Sequence, residues 1–237
     1  MTPGEERLSK EALKFVKSHK DFFIEKFASD SRFPSIGTPV SIFMAGSPGA
    51  GKTEFSRRFI EKQVSNGSSS IVRIDPDSIR EHIPQYIGGN AYVFQRAVSW
   101  GVDKLHEYVL KKKKHFILDG TFSNEARSRE NVKRSLNRGR KVLVLYVYQD
   151  PLVAWDFTKA REKIEGRKIP KESFIDQLFG AREVVKSVKK DFGKKVSLSF
   201  LEKDYRNDDL DFKLNIEDID GHLSIDYTRD ELNDLLK

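Results

Sequence analysis

Residues Gly46, Ser47, Pro48, Gly49, Ala50, Gly51, Lys52 and Thr53 follow the spacing G-x-x-x-x-G-K-[ST]. The pattern has a chemical reason. Glycines let backbone N–H groups converge on an anion where side chains would block the approach. A helix opening at Lys52 points its positive end at the same anion. Lys52 then reaches the β- and γ-phosphates of a nucleoside triphosphate, and Thr53 places its hydroxyl on Mg²⁺. The eight loop residues and Glu54 after them are the expected nucleotide cradle, with Lys52 exposed above the phosphates. The loop says triphosphate without saying which. The chain has no N-K-x-D guanine reader and no LSGGQ string, and its 237 residues are few for a mechanical ATPase. A small kinase with a mobile lid fits best, with ATP and Mg²⁺ as the implied cofactors.

Three further groups bear on the same chemistry. Asp119 follows the apolar run Phe116-Ile117-Leu118, where an acid at a strand end holds the hydration shell of Mg²⁺ or caps the next segment. Asp75 and Asp77 flank Pro76 after the run 71–74. These two carboxylates are expected to point different ways, so that one faces the phosphates while the other turns into the sheet or caps a helix. A general base for an acceptor hydroxyl belongs there. Arg161 and Arg167 bracket Gly166, a helix stop. Reaching inward from a lid they supply forks for a migrating phosphoryl group; otherwise they are a solvated basic helix end.

Composition narrows the remainder. With no Cys, a disulfide framework, a thiolate zinc site and a Cys nucleophile are excluded. The five His show no H-x-x-x-H spacing, so a histidine metal site has no support. The net charge of +7 favours an anionic partner. The lysine run 111–114 and the basic stretch 127–141 nevertheless read as solvated helix ends, making nucleic acid an unlikely partner. No apolar run approaches the roughly 18 residues of a membrane helix, and the N-terminus has no signal-peptide character. The expected location is cytoplasmic.

These groups must be positioned by an alternation of strands and helices. Apolar runs at 40–46, 71–75, 115–120, 141–148 and 196–202 read as buried strands, and NGSSS at 66–70 as a loop. Helical periodicity covers 5–30, 52–64, 93–111, 127–137, 150–167, 173–192 and 229–236. The expected fold is α/β: a doubly wound, mostly parallel P-loop sheet with helices on both faces. Residues 1–36 form an N-terminal helical extension packed on the core. Residues 37–237 form the kinase domain, with an Arg-bearing lid near 155–170.

In order along the chain, GSPGAGKTE, RIDPDSIREHIPQY, ILDGT and DPLVAWDFTKAREKIEGRKIP resemble the zeta toxin family, bacterial P-loop kinases that are usually the toxin half of a toxin–antitoxin pair. The resemblance spans about 40–202. It implies transfer of the γ-phosphate of ATP to the 3′-hydroxyl of UDP-N-acetylglucosamine, or a related UDP-sugar, which blocks peptidoglycan synthesis. It implies that Asp77 is the base, Lys52 the loop lysine, and Arg161 and Arg167 the lid arginines. On the substrate side it implies Arg80, Asp103 and Thr121, with Asp standing at 103 where the family pattern has Glu. A small helical antitoxin is the implied partner, though the N-terminal helix is open to reading as a fused inhibitor. A polynucleotide or nucleoside kinase, or a non-catalytic ATP-binding regulator, remain the alternatives. The sugar, the oligomeric state and the role of the acidic tail are not readable from the sequence.

Overall fold

The computed structural model describes residues 1–67, 70–204 and 209–237. Ser68 and Ser69 of the 66–70 loop and residues 205–208 of the acidic tail lie outside the described residues. Six strands form one sheet: β1 (Val40–Ala45), β2 (Ile71–Ile74), β3 (His115–Leu118), β4 (Lys141–Tyr148), β5 (Val196–Asp204) and β6 (Asp209–Lys213). Their order is β2-β3-β1-β4-β5-β6. The first five are parallel, and β6 pairs antiparallel with β5. The sheet is therefore the expected mostly parallel one, with an added edge strand that periodicity did not reveal.

Nine helices are described: α1 (Pro3–Ser18), α2 (Lys20–Ala28), α3 (Lys52–Ser65), α4 (Pro76–Arg80), α5 (Gln95–Lys111), α6 (Glu125–Leu136), α7 (Pro151–Glu165), α8 (Lys171–Phe192) and α9 (Arg229–Leu235). Both faces of β1 are buried, which explains why it is apolar but for Ser41. Phe43 and Ala45 join the large core that includes Leu105 and Val109 of α5 and Val184 and Val188 of α8. Ile42 and Met44 pack on the opposite side with Ile117, Leu145 and Phe55 of α3. A third cluster ties Trp155 of α7 to Phe174 of α8 and Leu232 of α9, so the C-terminal helix anchors α7. No helix among the described residues is long and apolar enough to cross a membrane.

The single helix expected over 5–30 is two. Ser18 Oγ donates to the Phe15 carbonyl at 3.0 Å, and His19 Nδ1 lies 2.9 Å from the same oxygen. Such local side-chain bonds compete with helix continuation, and the chain breaks at His19. Ala12, Val16 and Phe23 are buried in the main core. Asp30 then accepts from Tyr108 at 2.9 Å and pairs with Lys112 at 2.8 Å and Lys114 at 2.7 Å. Lys114 is fully buried, its amine also donating to the Ser29 carbonyl at 3.2 Å.

The basic stretches are thus not simply solvated helix ends. Arg140 is buried and donates to Ser41 Oγ at 2.7 Å, and Arg129 pairs with Asp191. A charge count along the chain cannot separate cations that staple elements together from cations left to solvent.

Candidate active site

In a parallel sheet the loops after the strands converge on one edge. The loop after β1, the turn after β2 and Asp119 after β3 all meet there. Gly46 has φ +130°, and a Cβ on it would lie 2.2 Å from the Val147 carbonyl oxygen. At Gly49, with φ +75°, a Cβ would lie 2.0 Å from the Ala154 carbonyl oxygen. The loop is wedged between β4 and α7 so tightly that only glycine fits at these points. Gly51 caps α3 with no side-chain hydrogen bond, leaving the first-turn amides directed at the loop's concavity. Gly46 N–H donates to the Thr121 carbonyl at 3.1 Å, which ties the loop to the segment after β3.

Lys52 is buried rather than exposed as expected. Its amine donates to the carbonyls of Gly46 at 3.0 Å and Ser47 at 2.5 Å. Burial pulls its pKa down to about 8; Asp119 opposes that shift while Arg161 and Arg167 add to it. A buried cation short of counter-charge suits a polyanion. Ser47 and Ala50 are buried in the loop wall, and Pro48 and Gly49 line a cleft with Thr158, Arg161, Glu165, Arg167 and Ile169. Glu54 does not face this concavity: its carboxylate pairs with Arg58 at 3.0 Å and with Lys203 of β5. Spacing alone put it in the cradle, but α3 has already turned its side chain toward β5.

Asp119 is buried, and its Oδ2 accepts from Ser56 Oγ at 3.1 Å and from Arg73 Nη2 at 2.6 Å. Ser56 Oγ also donates to the Thr53 carbonyl at 2.9 Å, which joins α3 to β3. Among the described residues no group of three His, Cys, Asp or Glu could by itself hold a metal ion. The donors present, the Thr53 hydroxyl and the Asp119 carboxylate, would suit Mg²⁺ held chiefly by nucleotide phosphates.

Across the edge, Asp75 and Asp77 separate because α4 begins between them; on an extended segment two residues apart they would have shared a face. Asp75 caps α4: Oδ1 accepts from Asp77 N–H at 3.0 Å, and Oδ2 accepts from Ser78 Oγ and Arg73 Nη2, each at 2.9 Å. Asp77 is left facing the end of α7. Arg80 pairs with its Oδ1, Arg167 pairs with its Oδ2, and Arg161 Nη2 stands 3.7 Å from Oδ2. Burial raises the pKa of Asp77, but Arg167, Arg80 and Arg161 outweigh it and hold the carboxyl below its ordinary range.

Arg161 and Arg167 are positioned by the end of α7. Gly166 closes that helix in the left-handed region, and Arg167 follows on the turn. Arg161 is half-exposed and braced by Glu165 at 2.9 Å. The loop at Gly88 docks against the Glu165 carbonyl, 2.1 Å from where a Cβ would stand. Arg80 is buried, not a surface residue. It reaches Gln95 Oε1 at 3.4 Å, lies over the Tyr86 ring at 5.9 Å, and its Nε has no hydrogen-bond partner. Thr121 Oγ1 lies 2.8 Å from Ser123 Oγ, beside the loop.

The structure therefore brings together Lys52, Thr53, Asp77, Arg80, Asp119, Thr121, Arg161 and Arg167. It does not bring Asp103 to them. Asp103 is on an exposed face of α5, paired with Arg134 of α6 at 2.7 Å. It lies eight residues, about 12 Å of helix, beyond Gln95, the α5 residue that does reach the site. A spacing count fixes neither helix start nor rotation, and this one landed two turns too far. Sequence reasoning missed Arg73, Ser56 and Gln95. Ser56 was one turn from Thr53, and Arg73 was the one charge in an apolar strand, on the Ile71 face that meets α3.

A family model described as Zeta toxin matches residues 24–210. No curated relative matches the chain in sequence. Among solved structures, one from the PezAT chromosomal toxin–antitoxin system of Streptococcus pneumoniae superposes with a TM-score of 0.64 at 16% identity, covering 99% of this chain and 93% of that one. An AvrRxo1-ORF1:ORF2 structure with ATP gives 0.60 at 12% identity, covering 96% and 76%. The Pnkp1/Rnl/Hen1 RNA repair complex gives 0.50 at 16% identity, covering 83% and 55%. At these identities the likeness is one of fold.

Proposed function

The chain belongs to the zeta toxin family of P-loop kinases, and from that premise we propose that it phosphorylates the 3′-hydroxyl of the sugar of UDP-N-acetylglucosamine, or of a related UDP-sugar, at the expense of ATP. The product cannot feed peptidoglycan synthesis, which makes the activity toxic to a peptidoglycan-making cell. One observation carries this reading: a carboxylate, Asp77, stands across the edge from the loop lysine with three guanidinium groups converging on it. Holding ATP alone would need no such base and no such cluster.

In the proposed reaction the loop amides and Lys52 hold the β- and γ-phosphates. Thr53 and Asp119 would hold Mg²⁺, which would supply neutralisation of the phosphate charge. Asp77 accepts the proton of the sugar hydroxyl as its oxygen bonds to the γ-phosphorus. The bond from that phosphorus to the β,γ-bridging oxygen breaks, and ADP leaves with the electron pair. For this to occur Arg161 and Arg167 move their charge from Asp77 to the migrating phosphoryl group, where planar guanidinium forks match its oxygens. Arg80 and Thr121 line the acceptor side. Residues 1–36 act as a packing extension of the kinase domain rather than an inhibitor, because their apolar residues are spent in its core. A small helical antitoxin is the proposed regulatory partner.

The test is incubation of the purified chain with Mg-ATP and a panel of UDP-sugars, nucleosides and RNA ends, with product masses recorded. A gain of one phosphate on UDP-N-acetylglucosamine, mapped to the 3′ position, is the expected result. Phosphorylation of a nucleoside or RNA end alone would replace this acceptor with another. ATP binding without any phosphorylated acceptor would leave a nucleotide-binding regulator.

A further inference from the structure

Arg73 stands where the apolar pattern of β2 has no use for a charge. Ile71 before it packs in the core beneath α3, and Val72 and Ile74 face the opposite core. Arg73 shares the Ile71 face, and its side chain is 15% exposed, so it is no solvated surface residue. Beneath α3 its guanidinium meets two carboxylates. Nη2 lies 2.6 Å from Asp119 Oδ2 and 2.9 Å from Asp75 Oδ2, while Nε reaches Asp119 Oδ2 at 3.1 Å and Ser56 Oγ at 3.0 Å.

The sheet explains why something must stand there. β2 and β3 are neighbours in register, with Ile74 beside Leu118, and Asp119 N–H donates to the Ile74 carbonyl at 2.9 Å. Asp75 and Asp119 are therefore the next residues on adjacent parallel strands, two like charges side by side at a largely buried edge. Such a pair repels unless a cation lies between them. A planar fork answers both carboxylates from one side chain; a point charge on a lysine does so less well.

We infer that Arg73 is a positioning residue of the phosphoryl-transfer site, joining its metal side to its base side. The inference rests on reading this edge as that site. The connection is continuous: Thr53 carbonyl to Ser56, Ser56 to Asp119, Asp119 to Arg73, Arg73 to Asp75, and Asp75 to the amide of Asp77. Asp119 stands beside the nucleotide loop through Ser56, and Asp75 sets the first turn of a helix of only five residues that carries the proposed base. A five-residue helix has little internal hold of its own, so its cap and the group that aims the cap fix where Asp77 stands. Loss of Arg73 should let α4 drift relative to the nucleotide loop while each half of the site keeps its own side chains.

The test uses the full chain with Arg73→Met and Arg73→Lys, by two measurements. The first is amide hydrogen exchange without nucleotide. Arg73→Met should speed exchange over residues 77–81 at least 10-fold, with the amides of β1 and β4 unchanged; Arg73→Lys should fall between it and the parent. The second is steady-state phosphorylation of UDP-N-acetylglucosamine. Arg73→Met should lower kcat about 30-fold with the KM for ATP within about 3-fold, and Arg73→Lys should recover part of the loss. In a cycle with Asp75→Asn, the double variant should be no more than about 3-fold worse than the poorer single one, since both cut the same link.

Unchanged exchange over 77–81, or an equal rise throughout the chain, overturns the inference, as does a kcat like the parent's or fully additive losses. A parent that phosphorylates no acceptor refutes the proposed function instead. The exchange result then still decides whether Arg73 fixes α4.

Discussion

The two carboxylates of the proposed reaction, Asp119 and Asp77, are both compensated by arginine but by different parts of the molecule. Asp119 is held from within the frame. Its partners are Arg73 on β2 and Ser56 on α3, elements whose apolar faces are locked into the core. Asp77 is held partly from outside it. Arg80 comes from its own short helix, but Arg167 and Arg161 come from the end of α7 and the turn beyond it, where the side chains are partly exposed. The difference separates two tasks. An acid that orients a metal's water shell must keep one geometry throughout turnover, so its cation belongs to the scaffold. A base must lose its cations when the hydroxyl arrives, so its cations belong on a lid that has another anion to move to.

Asp77→Asn tests that division with the largest effect. Asn keeps the shape and still accepts a hydrogen bond, but it cannot take the proton. Sugar phosphorylation should fall about 10²–10⁴-fold, with ATP affinity nearly unchanged because Lys52 and the loop amides are untouched. Toxicity on expression in a peptidoglycan-making host should disappear with it. Asp75→Asn is the contrast: it loosens a cap and should cost less. If Asp75→Asn were the inactive variant and Asp77→Asn stayed within a few-fold of the parent, the base would have been assigned to the wrong carboxylate.

Lys52→Ala comes next. It removes the fixed cation nearest the γ-phosphate and should lower transfer about 10³-fold. The fold should survive, because the lost group is a buried charge whose desolvation already opposes its ionised form. Thermal unfolding should show a midpoint close to the parent's; transfer at the parent rate would remove the loop from the reaction.

The lid should respond in graded fashion. Arg167 contacts Asp77 directly and Arg161 stands farther off at 3.7 Å, so Arg167→Ala should cost about 10²-fold in kcat and Arg161→Ala about 10-fold. Both losses should fall on kcat rather than on KM, since the charge matters most in the transition state. The pH profile gives a second reading. Burial pushes the pKa of Asp77 up, and Arg167, Arg80 and Arg161 pull it further down. The base thus stays ionised until the pH drops below the ordinary carboxylate range. In Arg167→Ala the acid limb of kcat/KM should move to higher pH. A limb that stays in place would mean that Arg167 does not govern the charge on Asp77.

Asp77, Arg161 and Arg167 were legible in the sequence, as were the strands and the nucleotide loop, but Arg73 and Ser56, the partners of Asp119, were not, because periodicity is local and their contacts are not. β4 was legible to the residue because both its faces are buried and its run is unbroken. β6 was not, because DLDFK is an edge strand with charges among its apolar residues and takes its pairing from β5. The nucleotide loop was legible because every backbone constraint falls within eight residues. Asp103 misled because its assignment depended on where α5 starts and how it is rotated about its axis, which a spacing count does not give. Arg73 carried no signal of its own kind: a lone arginine in a strand looks like a surface residue until the neighbouring strand supplies Asp119.

The smallest effect concerns the proton on Lys52. Burial, with Arg161 and Arg167 adding to it, holds this amine at a pKa of about 8 when no anion is bound. At pH 8 about half of the nucleotide-free molecules then carry a neutral Lys52. Bound triphosphate places negative charge against the amine and favours its charged form. The pKa must rise on binding, and linkage requires ATP to bind with proton uptake: about half a proton at pH 8, falling toward zero by pH 6, where the amine is already charged. Calorimetric titrations in two buffers of different ionisation enthalpy give the number directly. Lys52→Met removes the group and should abolish the uptake at pH 8, which also subtracts any proton that belongs to the nucleotide. Proton uptake equal in parent and variant would mean that Lys52 is fully charged before the nucleotide arrives, and that the carbonyls of Gly46 and Ser47, with Asp119 behind them, already satisfy it.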